Sequence, residues 1–178
     1  MEISMIDELC KKLLNNREIE ELKTEALAIS YNYDYATALA WIAVNKRHNN
    51  DLGKVGELLA NTHFGWIRAK GDTDSMLQDR KIEIKTSVPP KGGYRIGQIK
   101  LNYDLNQSLF CQFFHVESQD MQFYWWPTIQ EWLTGLEEWI RPDQGNDNNI
   151  VGMRAIPHGG KVWKALQPWR IDWNDIPR

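Results

Sequence analysis

GELLANTHFGWIRAKGDTDSMLQDRKIEIKTS, residues 56–87, is the stretch whose reading decides the fold. Its first part carries Glu57 in a helix that Gly65 stops, and Trp66 to Ala69 follow as a short first strand. A strand carrying Asp74, a tight turn near Gln78-Asp79 and a second strand from Lys81 to Thr86 complete it. Side chains alternate faces along a strand, so in Lys81-Ile82-Glu83-Ile84-Lys85 the charges share one face and the isoleucines the other. Glu83 and Lys85 thus converge, and Asp74 pairs back across the hairpin beside Glu83. Two hard oxygen donors of the kind magnesium takes then stand next to an ammonium.

Such a group suits phosphodiester hydrolysis. A divalent ion held by acids polarises the scissile phosphate and acidifies a bound water, while the lysine stabilises developing negative charge. Asp74 followed after eight residues by Glu83-Ile84-Lys85 resembles the PD-(D/E)XK motif of restriction-endonuclease-like nucleases. The resemblance covers roughly residues 51–127, and Gly56-Glu57 before Leu58-Leu59-Ala60 matches the helical glutamate that many members carry. It implies Asp74, Glu83 and Glu57 as metal ligands, Lys85 as the residue that positions or activates water, and Mg²⁺ as cofactor, with Mn²⁺ as a substitute. It also implies an α/β/α core around a central mixed sheet. Thr73 stands where the motif has proline, which leaves Asp72 as an alternative ligand.

The function expected is a type II restriction-like endonuclease that cuts double-stranded DNA as a homodimer, one protomer per strand. Junction-resolving, repair and homing nucleases of the same superfamily remain alternatives. So does a non-catalytic DNA-binding module, although a module would not need crowded carboxylates, which repel phosphate unless a cation compensates them.

The 178 residues, 42% of them hydrophobic, suffice for one sizeable core: a helical region over 1–50 and the nuclease-like core over 51–178. The net charge of −3 conceals a basic segment, since residues 51–100 hold 9 Lys+Arg against 6 Asp+Glu. No basic start with a long apolar run opens the sequence, so the expectation is a cytoplasmic protein with no membrane partner. Cys10 and Cys111 lack zinc-site spacing and read as buried thiols. P-loop, G-x-S-x-G and H-E-x-x-H motifs are absent, which sets aside the enzyme classes they mark.

Around this centre the periodicity predicts two short helices over residues 3–29, broken at Asn15-Asn16, and a third from Tyr35 to Val44. Asp51 is expected to cap the Glu57 helix and His63 to face its last carbonyls. Lys46, Arg47 and His48 are either phosphate contacts or a solvated helix end. The Pro- and Gly-rich loop after Thr86 carries Lys91, Tyr94 and Arg95, either DNA-contacting or simply solvated. Gln98 to Asn106 is expected to extend the active-site sheet, with a minor role for Gln98. Leu109–Val116 and Met121–Trp126 read as a buried hairpin, and a helix follows from Ile129 to Ile140. Residues 141–149 read as a flexible loop, Ile150–Ile156 as a strand and Lys161–Leu166 as a short helix. Arg154, His158, Lys161 and Lys164 are phosphate contacts or surface charge. The nine tryptophans fall mostly at core periodicity.

Overall fold

The computed structural model describes residues 3–48, 50–71, 73–89, 93–116, 118–144 and 147–178. Helices α1 (Ile3–Asn32), α2 (Tyr35–Asn45) and α3 (Asp51–Phe64) come first. They lie on one face of a six-stranded mixed sheet, in order β1 (Ile67–Arg68), β2 (Ser75–Leu77), β3 (Arg80–Ser87), β5 (Ser108–His115), β6 (Asp120–Trp126) and β9 (Arg170–Ile171). All neighbours are antiparallel except β3 and β5, which run parallel. A parallel pair needs a crossover. Here it passes through β4 (Tyr94–Lys100), the edge of a separate three-stranded sheet completed by β8 (Asp147–Ile156) and β7 (Arg141–Gln144).

Alternation along the main sheet divides the core in two. On the helical side, Ile82, Ile84, Phe110, Phe114, Phe123 and Trp125 pack against Leu39, Ile42, Val55 and Leu59 of α2 and α3, and α1 adds Leu22 and Ala26. On the other side, Leu109, Cys111, Phe113, Tyr124 and Trp126 meet Ile96, Ile99 and Met153 of the small sheet. Helices α4 (Ile129–Gly135) and α5 (Lys161–Leu166) close that side with Trp132, Trp163 and Leu166. The protein is therefore mixed α/β around a mixed sheet, with three helices on one face and a small sheet plus two short helices on the other. Trp126 and Trp132 have no exposed surface, which makes them core residues and removes them as base-stacking platforms. No helix is long and apolar enough to cross a membrane, among the described residues.

Several local expectations are corrected. Residues 3–32 form one helix, because two asparagines cost at most about 0.7 kcal/mol each in a helix interior, less than a break would forfeit. The helix from Ile129 stops at Gly135, and residues 137–139 continue as a 3₁₀ turn. The segment from Gln98 extends the small sheet, pairing Ile99 with Val151, because alternation identifies a strand without naming its neighbour. Residues 141–149 are largely the β7–β8 hairpin and not a flexible loop; their polarity reflects an edge strand, where Pro142 has no ladder bond to lose. Asp51 is the first residue of α3, and its Oδ2 accepts from the backbone N–H groups of Arg47 (3.0 Å) and His48 (2.9 Å), tying down the preceding turn. Arg47 also pairs with Glu18.

Candidate active site

The geometry begins with a mismatch of strand lengths. β2 pairs Ser75 with Ile82 and goes no further, while β3 continues to Ser87. Beyond Ile82 that edge of β3 has no strand beside it among the described residues. The Ile84 N–H, an edge donor that would otherwise lack a partner, donates to Asp74 Oδ2 at 2.7 Å. Asp74 is thereby fixed across from Glu83, as the hairpin register requires. Thr73, in place of the proline of the motif, holds the approach: its hydroxyl donates to the Ile82 carbonyl at 3.1 Å. Asp72 lies outside the described residues.

α3 fills the notch that short β2 leaves. An added Cβ at Gly56 would stand 2.1 Å from Thr86 Oγ1 and 2.8 Å from Gln112 Nε2, so only glycine lets the helix come this close. The next residue, Glu57, is thereby brought to Asp74, Glu83 and Lys85, all of which act on its ionisation. Burial, then repulsion from Asp74 and Glu83, pushes the Glu57 carboxyl up to about 7 against opposing attraction from Lys85 and Arg68. Glu83 is also raised, by burial first and Asp74 next. Burial opposes the charge on Lys85, but Glu83, Asp74 and Glu57 outweigh it and hold the ammonium above its ordinary value. Lys85 Nζ donates to Glu83 Oε1. All four residues predicted from the sequence therefore meet in one place.

Among the described residues no group of three or more His, Cys, Asp and Glu side chains is arranged to hold a metal ion. Glu83 is engaged by Lys85, and one Asp74 oxygen by the backbone. The oxygen donors are of the kind a hard divalent cation takes, and burial together with repulsion from Asp74 raises both Glu57 and Glu83, a cost that a bound cation would offset. Glu57, Arg68, Ala69, Lys70, Gly71, Thr73 and Asp74 line a groove of about 540 Å³ beside the cluster. Arg68 and Lys70 are exposed there and give the acidic notch a basic rim, which the sequence reading did not single out.

A buried polar knot underlies the site. Gln112 of β5 donates through Nε2 to the Gly56 carbonyl (3.0 Å) and Thr86 Oγ1 (2.7 Å), and its Oε1 accepts from the Tyr35 hydroxyl. This fully used amide joins α2, α3, β3 and β5 behind Glu57 and Lys85. Gln112→Leu would leave the buried Tyr35 hydroxyl and the half-buried Thr86 hydroxyl without this partner, and we expect a loss of about 1–3 kcal/mol, read as a lower denaturant midpoint at unchanged slope. A variant as stable as the parent would contradict the knot. The only sequence signal for it was a glutamine in the apolar run LFCQFFHV, residues 109–116.

Other expected contacts fall elsewhere. Tyr94 is buried, stacked on Phe113 and Trp163 with centroids 4.8 and 5.1 Å away, so it is core and not a DNA-stacking ring. Arg95 pairs with Asp143 and Lys91 lies outside the described residues. His63 does not serve as a cation on helix carbonyls. Its Nε2 meets Ser30 Oγ at 2.9 Å, its ring packs among Tyr31, Tyr35 and Trp173, and burial lowers its basicity. Cys111 is a buried free thiol, raised by burial. Gln98 is exposed, outside the cluster, its N–H on Asp143.

The raised Glu57 carboxyl has a consequence for stability. Protons bind the folded state more tightly than the unfolded one, so the contribution present below pH 4.5 is lost as pH rises through about 7. In the absence of divalent ions, Glu57→Gln should stabilise the protein at pH 8 by about 1–3 kcal/mol and change little at pH 4. Thermal melts at both pH values check this, and a variant that melts below the parent at pH 8 would contradict the repulsion.

No family model matches the chain, and neither a curated protein nor a solved structure does.

Proposed function

We propose that the protein is a magnesium-dependent endodeoxyribonuclease that hydrolyses phosphodiester bonds of double-stranded DNA, resembling type II restriction enzymes of the PD-(D/E)XK superfamily. The observation that carries this reading is the convergence of Glu57, Asp74, Glu83 and Lys85 in a notch rimmed by Arg68 and Lys70. Asp74, Glu83 and Glu57 would hold the ion. When bound, it would supply Lewis acidity to the scissile phosphate.

The chain's own groups supply the rest. The Lys85 ammonium, kept charged by its three acidic neighbours, directs its donors at the attacking water and at negative charge developing on phosphate oxygens. Asp74 keeps β3 in register at Ile84, so the spacing between its own carboxylate and Glu83 is set before substrate arrives. Arg68 and Lys70 attract the phosphate backbone to the groove.

With one such cluster among the described residues, cutting both strands most simply uses a two-fold homodimer. The experiment is a digest of supercoiled plasmid and of branched duplexes, in Mg²⁺ or Mn²⁺. Discrete plasmid fragments support a restriction-like enzyme, and cutting confined to junctions supports the junction-resolving alternative. No cleavage of either substrate with either ion would overturn the enzyme and leave the non-catalytic module.

A further inference from the structure

The outer face of the small sheet carries a second arrangement that no step at the acid cluster uses. Asp143 of β7 has no exposed side-chain surface, yet it lies directly beneath two arginines whose side chains are 50% and 58% exposed. Arg95 of β4 donates from Nη2 to Asp143 Oδ1 (2.9 Å) and Oδ2 (2.8 Å). Arg154 of β8 donates from Nε to Oδ1 (2.6 Å) and from Nη2 to the Asp143 carbonyl. The Gln98 N–H adds a fourth bond to the carboxylate at 2.8 Å. Burial alone would raise this carboxyl, but the arginine bonds outweigh it and hold it below the usual carboxylate range.

Two glycines make room for the arrangement. A Cβ at Gly97 would stand 2.6 Å from Arg95 Nε and 2.9 Å from Asp143 Oδ2, and one at Gly152 would stand 3.1 Å from Asp143 Cγ. Two residues beside the arginines, Gln98 (φ 59°) and Ala155 (φ 51°), occupy left-handed backbone that only glycine adopts cheaply, at register shifts in the β4–β8 pairing. One guanidinium would neutralise one buried carboxylate. Two, with strain at both strands, leave a net positive charge held rigidly at the surface. Arg95 Nε and Nη1 and Arg154 Nη1 have no partner among the described residues and are directed by a fixed anchor, which is the preorganisation that bidentate phosphate recognition needs.

The placement relates this pair to the acid cluster. The Arg95 N–H donates to Ser87 Oγ at 3.1 Å, and Ser87 is two residues, about 7 Å of strand, beyond Lys85. At the other end of β4, Lys100 is close enough to Glu83 to lower its carboxyl, so β4 passes β3 in the opposite direction. Arg141 shares the face, since it pairs with Gly152 on the same side as Arg154. We propose that Arg95 and Arg154, locked by Asp143, form a clamp for the phosphate backbone of duplex DNA on the outer face of the small sheet. The clamp holds the polymer flanking the scissile bond and takes no part in the chemistry. It rests on the nuclease reading for the identity of the polymer.

The test is binding of the full chain to a fluorescein-labelled 30-bp duplex in EDTA, by anisotropy, over a range of KCl concentrations. Arg95→Gln with Arg154→Gln and Asp143→Asn removes the cations without leaving a buried charge behind. We expect at least ten-fold weaker binding at 100 mM KCl and a salt slope shallower by about 2, the yield of two lost phosphate contacts. A folded triple variant that binds with parental affinity and slope overturns the clamp and leaves the nuclease reading intact. Should that variant not fold, the wild-type chain still decides: its Arg95 and Arg154 Nε–H NMR resonances shift on duplex titration if the clamp exists and stay fixed if it does not. Tighter binding to a single-stranded RNA of equal length also overturns the assignment. A wild-type chain that binds the duplex through these arginines yet never cleaves it in Mg²⁺ or Mn²⁺ overturns the nuclease and keeps the clamp.

Discussion

Lys85→Ala is expected to lower plasmid cleavage by on the order of 10³-fold or more, because it removes the ammonium bonded to Glu83 and the donors proposed to face the reacting phosphate. Alanine also leaves Glu83 half-buried beside Asp74 without its cation, so a loss of stability of about 1–3 kcal/mol should accompany it. The acid variants separate the two effects. In Asp74→Asn the amide oxygen still accepts from the Ile84 N–H, so the strand stays in place while the negative charge is gone. Asp74→Asn and Glu83→Gln should therefore stay folded and lose cleavage to a similar extent; the harsher Asp74→Ala and Glu83→Ala should lose cleavage too, and Asp74→Ala also gives up the bond to the Ile84 N–H. A Lys85→Ala protein cutting at the parental rate would sink the assignment.

Gly56→Ala is the second large effect, and it acts through structure. The added methyl would overlap Thr86 Oγ1 and crowd Gln112 Nε2, so α3 must move off the sheet or the buried knot must open. Overpacking of this kind costs about 1–3 kcal/mol, and breaking the knot adds a further share, for a fall in melting temperature of roughly 5–15 °C. Moving α3 withdraws Glu57, so cleavage should fall further than the unfolded fraction explains at 25 °C. Gly53, on the same helix, has nothing within 4 Å of an added Cβ, and Gly53→Ala should leave cleavage unchanged and the melt equal or slightly higher. Equal melts for Gly56→Ala and Gly53→Ala would contradict the close approach.

How much could be read in advance follows the range of the interactions. Glu83 and Lys85 share a face by strand alternation, and Asp74 reaches Glu83 through a turn of a few residues, so their meeting is a local matter that 12 residues of sequence, 74–85, contain. Glu57 required one more step, a helix stopped at Gly65 in the left-handed conformation (φ 72°), and that stop was legible too. Gln112 and Tyr35 were not, because Gln112 lies 56 residues from Gly56 and 77 from Tyr35, and no local period links them. Pattern also failed where polarity misleads. Asp143 sits in the hydrophilic run RPDQGNDNN, residues 141–149, whose composition resembles a loop, whereas two distant arginines and a backbone N–H make it a buried strand residue. Tyr94 failed in the converse way: neighbouring glycines and prolines suggested an exposed ring, and packing between Phe113 and Trp163 buried it.

Glu57, Asp74, Glu83 and Lys85 are proposed to be gathered to receive a divalent cation. The measurement that tests it most directly is the melting temperature at pH 8 with and without millimolar Mg²⁺ or Mn²⁺, in the wild type and in Glu83→Gln. An ion that binds only the folded state stabilises it by about 1.4 kcal/mol at ten times its dissociation constant, or roughly 3–5 °C for a chain of this size. The wild type should show that rise and Glu83→Gln should lose it. No rise with either ion, in the presence of duplex DNA as in its absence, would contradict it.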